Sequence, residues 1–209
     1  MTPLVAALRG KHFEVAEQLH RQGADVNVRD GSKRTPLWAI CLFGVEDPDI
    51  LQWLLNHGAD VNVQDIPWTP LHSAAYYGHA QTIRTLIEHN PDANSRNHRG
   101  ATPLHLAASP PMTASISHDH VDIMQVLLDY GADPNAQDND RSTPLHHSSW
   151  WEKSGYEQGK GTVEGTRLLL KHGAIIDAED IEGRTPLQVA LKHGRHDIVA
   201  CLMEHGAMR

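Results

Sequence analysis

The sequence predicts an all-α repeat, a solenoid of short helix–turn–helix units, and three observations predict it. Thr-Pro-Leu occurs six times in 209 residues, beginning at Thr2, Thr35, Thr69, Thr102, Thr143 and Thr185. A second mark trails each one: Gly23-Ala24-Asp25-Val26-Asn27, Gly58-Ala59-Asp60-Val61-Asn62, Gly131-Ala132-Asp133-Pro134-Asn135, Gly173-Ala174 and Gly206-Ala207. In the third unit Asn90 replaces the glycine. Between the marks lie apolar pairs, and successive threonines are 33, 34, 33, 41 and 42 residues apart. Self-similarity at such a period is the signature of stacked repeats.

Each element of the unit has a physical reason. Threonine is an N-cap, and proline at the first helical position loses an N–H that would have been unsatisfied anyway. The first helix is short and small-sided, as in Leu104-His105-Leu106-Ala107-Ala108. The second carries an apolar pair near its end: Leu54/Leu55, Leu86/Ile87, Leu127/Leu128, Leu169/Leu170 and Leu202/Met203. Glycine, or Asn90, then takes the left-handed position that ends the helix. Neither helix buries its apolar face alone, so neighbouring units must stack. The first unit has His20 at the second apolar position, which reads as an outer cap facing water.

Composition narrows the class. The chain is 40% hydrophobic and 5% aromatic, enough for one folded domain or two. No apolar run reaches the roughly 18 residues of a membrane-spanning helix. Met1-Thr2-Pro3-Leu4 enters repeat sequence at once, with no basic and apolar regions of a secretory signal. Cys41 and Cys201 show no metal or disulfide spacing, and no Asn-x-Ser/Thr acceptor occurs. An intracellular home, cytoplasmic or nuclear, is expected. The formal net charge of -8 lacks the basic footprint of a duplex nucleic-acid binder.

Thr-Pro-Leu-His-x-Ala-Ala, Gly-His and Gly-Ala-Asp-x-Asn at this period resemble the ankyrin repeat, over essentially the whole chain. The resemblance implies helix–turn–helix units joined by β-hairpin fingers, with a concave groove that usually binds protein. It implies one domain over residues 1–209, with repeats near 1–34, 35–68, 69–101, 102–142, 143–184 and 185–209. The expected function is a non-catalytic adaptor, scaffold or targeting module, monomeric by itself and without cofactor or metal. Its partner is a protein, not nucleic acid or membrane. Scaffold alone does not name that partner. The two ends suit either a self-contained protein or a domain excised from a longer one.

Sixteen histidines raise the question of metal or acid–base chemistry, and repeat position answers most of it. His72, His105 and His146 follow Thr-Pro-Leu, where the ankyrin pattern uses imidazole to bond adjacent repeats. His57, His89, His172 and His205 end second helices, near the negative end of the dipole. His12, His79, His120 and His196 fall between helices. His118 and His147 stand outside the motif, and a zinc set of His118, Asp119, His120 and His147 is conceivable. Gly155…Gly159-Lys160-Gly161-Thr162 faintly resembles a phosphate loop, but its spacing is wrong and no strand precedes it.

Departures from the repeat locate the candidate binding surface. The threonine-to-glycine distance is 21 residues in repeats one and six, 23 in two, 29 in four and 30 in five. The extra residues fall around Val45–Asp49, in an insert at 109–119 and in another at 150–162. Insertions on one face of a solenoid often mark its binding face, although surface drift also produces them. In the ankyrin arrangement the last residues of each first helix face the groove: here Leu42/Phe43, Tyr76/Tyr77 and Trp150/Trp151. Trp68 lies on an overhanging finger and Tyr156 in the adjoining insert. Trp and Tyr are typical interface anchors. Finger charge changes sign, from Arg29, Lys33, Arg34, Arg96 and Arg99 to Asp138, Asp140, Glu179, Asp180 and Glu182. The expected partner-binding set is therefore Arg34, Leu42, Phe43, Trp68, Tyr76, Tyr77, Arg99, Trp150, Trp151 and Tyr156. The alternative is a small-molecule or metal-dependent site at the inserts, using His118, Asp119, His147, Glu152 and Tyr156. Trp38 replaces the histidine after Thr-Pro-Leu in repeat two, so the inter-repeat bond there must be lost or substituted.

Overall fold

Each Thr-Pro-Leu begins a helix, and each trailing glycine or Asn90 follows one. The computed structural model describes residues 2–43, 48–63, 68–109, 118–150 and 161–208. Within these, helices alternate in pairs: α1 (Pro3–Arg9) with α2 (Phe13–Arg21), α3 (Pro36–Phe43) with α4 (Pro48–Asn56), and α5 (Pro70–Tyr77) with α6 (Ala80–Ile87). Next come α7 (Pro103–Ala108) with α8 (His118–Asp129), α9 (Pro144–Ser149) with α10 (Gly161–Lys171), and α11 (Pro186–Lys192) with α12 (His196–Glu204). The second helices of repeats four and five begin at His118 and Gly161, so both reach back into the expected inserts. Most of the remaining insert residues, Glu152 among them, lie outside the described residues.

The caps behave as their chemistry requires. The Thr2, Thr35, Thr69 and Thr185 hydroxyls accept from the backbone N–H three residues on, at 3.2–3.4 Å. Asn90 has φ 53°, the left-handed backbone that glycine takes in the other repeats. Stacking then builds one continuous core. The leucine of every Thr-Pro-Leu and the first member of every apolar pair are at most 2% exposed. Each such side chain contributes about 1.5–3 kcal/mol of transfer free energy. His20 does not face water: it is half-buried, edge-on to Trp53 at 6.0 Å and to His57 at 5.1 Å. The apolar surface of the next repeat claims it.

Two polar seams tie neighbouring repeats. Along one, the asparagine of each Gly-Ala-Asp-x-Asn bridges to the next repeat. Asn94 Nδ2 donates to the Gly131 carbonyl at 3.0 Å while its Oδ1 accepts from Asp133 N at 2.8 Å. Asn27, Asn62 and Asn135 repeat the arrangement. In repeat five Asp177 stands in the asparagine's place and accepts from Met208 N at 3.3 Å. A carboxylate has no donor for the second half of the bridge.

Along the other seam, the fingers pack side by side. No regular strand occurs among the described residues. Each described finger closes with two backbone bonds, such as Asp138 N to Ser142 O and Arg141 N to Asp138 O, both at 3.0 Å, too short a ladder for a strand. Fingers also join each other: Asn139 N donates to Arg99 O at 2.9 Å and Ile181 N to Asp140 O at 2.8 Å.

Candidate functional site

Where the first helices meet the fingers, repeats three to six enclose a groove of about 730 Å³. Trp68, Tyr76, Arg99 and Trp150, four of the residues expected to bind a partner, border it. Trp68 and Tyr76 meet edge-on at 4.8 Å and form one aromatic wall. Trp150 follows α9, is 54% exposed, and lies 6.0 Å from His193. Tyr77 is exposed, stands edge-on to Tyr76 and stacks towards His79 at 6.1 Å. Leu42 is half-buried on α3. Arg34 lies at the other end of the chain, with its guanidinium 5.3 Å from the Trp38 ring. The Phe43 side chain, Trp151 and Tyr156 lie outside the described residues.

The groove floor rests on buried imidazoles. Thr69, Thr102 and Thr143 each donate their backbone N–H to Nδ1 of His72, His105 and His146 at 3.1–3.2 Å. The opposite nitrogen of each ring donates across the repeat boundary: His72 to Ala101 O, His105 to Ser142 O and His146 to Arg184 O, at 2.9–3.0 Å. With Nδ1 accepting and Nε2–H donating, each ring is neutral. Burial pushes His72 down to about 4 and His105 to about 3, and lowers His146 too. Trp38 occupies this position in repeat two. Its buried indole N–H meets no hydrogen-bond partner among the described residues, so the inter-repeat bond is lost, and Arg34 stacking takes its place.

The fingers share an acidic turn. Asp30 accepts Ser32 N and Arg34 N on one oxygen, and Arg34 Nε at 2.9 Å on the other. Asp180 does the same with Glu182 N, Arg184 N and Arg184 Nε at 2.8 Å. In the fourth finger the residue before threonine is Ser142, not arginine. Asp138 still accepts Asp140 N and Ser142 N, but its second oxygen meets His147 Nε2 at 2.9 Å. The pairing shows in the sequence only once Arg34 and Arg184 are aligned with Ser142.

His147 therefore pairs with Asp138 among the described residues. His120 is buried, its Nε2 3.4 Å from the Tyr76 carbonyl, and the His118 and Asp119 side chains lie outside the described residues. His105, Asp138 and His147 bring ligand-type atoms within 4.8 Å of one another. His105 Nδ1 already accepts from Thr102 N and its Nε2 donates across the repeat boundary, so a metal would have to break one of these bonds. Cys41 and Cys201 are buried and unbridged, and burial pushes both thiols up, away from the nucleophilic thiolate.

A stacked helix-pair scaffold with fingers over a concave aromatic surface defines a class of repeat protein. The chain belongs to the ankyrin-repeat family: the model of ankyrin repeats (3 copies) matches residues 1–65, 46–110 and 112–208. Ankyrin repeats are generally non-catalytic protein-interaction modules. The chain is 36% identical over 107 residues to ankyrin repeat and SOCS box protein 11 of Danio rerio, covering 51% of this chain and 36% of that one. It is 32% identical over 109 residues to human SH3 and multiple ankyrin repeat domains protein 2, covering 52% and 6%. It is 43% identical over 65 residues to human 2-5A-dependent ribonuclease, covering 30% and 9%. The chain thus spans little more than a third of these relatives at most. No described helix is long and apolar enough to cross a membrane.

Proposed function

We propose that this chain is a non-catalytic intracellular adaptor or targeting module that seats an extended segment of a partner protein in the finger-side groove. The observation that carries the reading is Trp150, a large aromatic 54% exposed on the border of a concavity already walled by Trp68 and Tyr76. Leaving such a side chain in water is unfavourable, and covering it with a partner recovers that free energy. Leu42 extends the same surface, and Arg34 and Arg99 set its basic end. The finger charges favour a partner with acidic residues over repeats one to three and basic residues over repeats five and six. The chain acts as one domain and as a monomer.

Affinity purification with mass spectrometry tests this, run in parallel for the wild type, Trp150→Ala and Trp68→Ala. Each substitution is expected to weaken a captured partner by about 1–2 kcal/mol, roughly tenfold. Unchanged capture by both variants, with helical circular dichroism intact, overturns the groove assignment.

A further inference from the structure

The exchange of arginine for histidine in the fourth finger leaves a ring nitrogen at the groove border with no hydrogen-bond partner among the described residues. In the first and fifth fingers a guanidinium closes the acidic turn, and it is permanently charged and donor-only. At Asp138 the closing group is an imidazole from α9. Burial raises the Asp138 carboxyl, but the hydrogen bonds from His147 and the Ser142 N–H hold it below the ordinary range. It is an ionised acceptor, so His147 Nε2 carries a proton. In the neutral ring Nδ1 is then a bare lone pair. His147 borders the groove, its side chain is 17% exposed, and among the described residues its ring hydrogen-bonds to Asp138 alone. His105 and His146, its neighbours in the same floor, use both nitrogens.

We infer that His147 is the polar recognition point of the groove, its Nδ1 accepting a hydrogen bond from a lysine or arginine side chain of the bound partner segment. This rests on the groove reading and adds the partner's chemistry to it. The groups around the ring favour a cation. Asp138 and Asp140 lie on the same finger, and the Asp140 carboxylate is exposed and meets no side chain among the described residues. Asp180 and Glu182 face it from the fifth finger, where they share the single guanidinium of Arg184. Of the nearby cations, Arg96 donates to the Gln137 carbonyl, Arg184 is shared by Asp180 and Glu182, and Arg99 and Lys192 border the groove from the third finger and α11. A partner carboxylate at Nδ1 would face a lone pair ringed by acids.

The assignment carries a pH signature. As acid adds a second proton to His147, Nδ1 turns from acceptor to donor and a positive charge appears beside the partner's cation. Protonation of Nδ1 therefore weakens the hold on such a partner. His105, held at about 3, and His146, lowered by burial, do not supply this change.

Two measurements test it. Nitrogen-15 NMR of the imidazoles in the full chain reads the tautomer with no ligand present. A protonated Nε2 on His147 at neutral pH is expected, and a protonated Nδ1 overturns the inference. For binding, dodecapeptides from a phage-displayed random library are selected on the immobilised chain, keeping those that Trp150→Ala weakens. The best is expected to contain a lysine or arginine and to bind the wild type about fivefold less tightly at about pH 5.5 than at about pH 7.5. His147→Gln, whose amide donates to Asp138 and still offers an oxygen, is expected to bind more weakly than the wild type but more tightly than His147→Phe, and to lose the pH dependence. His147→Phe is expected to lose the neutral affinity and the pH dependence. PH dependence that survives His147→Gln overturns this inference and leaves the groove standing. Failure to obtain any Trp150-dependent peptide overturns the groove reading and this inference together.

Discussion

The two halves of the solenoid are fastened differently along the groove side. From repeat three onward, a buried neutral imidazole spans each boundary, from His72, His105 and His146 to the next finger. Repeats one and two place Val5 and Trp38 there instead, and neither makes the bond. The asparagine seam on the other side runs from Asn27 to Asn135 through both halves. One seam is thus common to the scaffold, while the other is peculiar to the repeats that enclose the groove. The C-terminal half gains directional hydrogen bonds under the groove and, with them, a dependence on unprotonated histidine.

His105→Ala should break the difference most visibly. It opens a cavity and strands the Thr102 N–H and the Ser142 carbonyl, at a cost of about 3 kcal/mol or more. Val5→Ala, at the same repeat position, should cost about 1–2 kcal/mol because only packing is lost. Equal costs in urea titrations would dissolve the contrast.

Acid should separate the halves without mutation. The folded state holds His72 at about 4 and His105 at about 3, against 6.5 for the free side chain. The unfolded chain therefore takes up protons first. The stability these rings contribute is complete above about pH 6.5 and is lost as pH falls towards about 4. Hydrogen exchange should show protection in α7 and α9 falling ahead of that in α1 and α2 over this window. Loss beginning in α1 and α2 would contradict the account.

The finger seam offers a sharper pair. Gly100 and Gly183 occupy the same turn position, at φ 72° and 73°. A Cβ on Gly100 would lie 2.8 Å from the Asn139 backbone nitrogen, whereas one on Gly183 meets nothing within 4 Å. Gly183→Ala should cost about 1 kcal/mol for the left-handed backbone alone. Gly100→Ala should cost clearly more, since the third and fourth fingers must part. The smallest effect is expected at the end of the asparagine seam. Asp177→Asn restores the missing donor and should stabilise thermal unfolding by about 0.5–1 kcal/mol.

Much of this was legible in the chain because caps and turns are local chemistry. Threonine, proline and the left-handed Asn90 each act within a few residues, so their roles follow from type and position. The Trp38 substitution told its own consequence, the lost inter-repeat bond. His20 was misread as water-facing because its burial depends on Trp53 and His57, supplied by the next repeat. The His147–Asp138 pair was not found because its signal is an absence, the missing arginine at Ser142. Tyr76 and Tyr77 were grouped as neighbours, yet adjacent helical residues point about 100° apart. The structure places Tyr76 on the groove border and Tyr77 against His79.

The claim that a partner lies in the finger-side groove is tested most directly by photo-crosslinking. Benzoylphenylalanine is placed at Trp150, on the groove border, and separately at Val15, half-exposed on α2 in the other helix layer. The account predicts a partner adduct from position 150 that Trp68→Ala diminishes, and none from position 15. An adduct from position 15 with none from position 150 would contradict it.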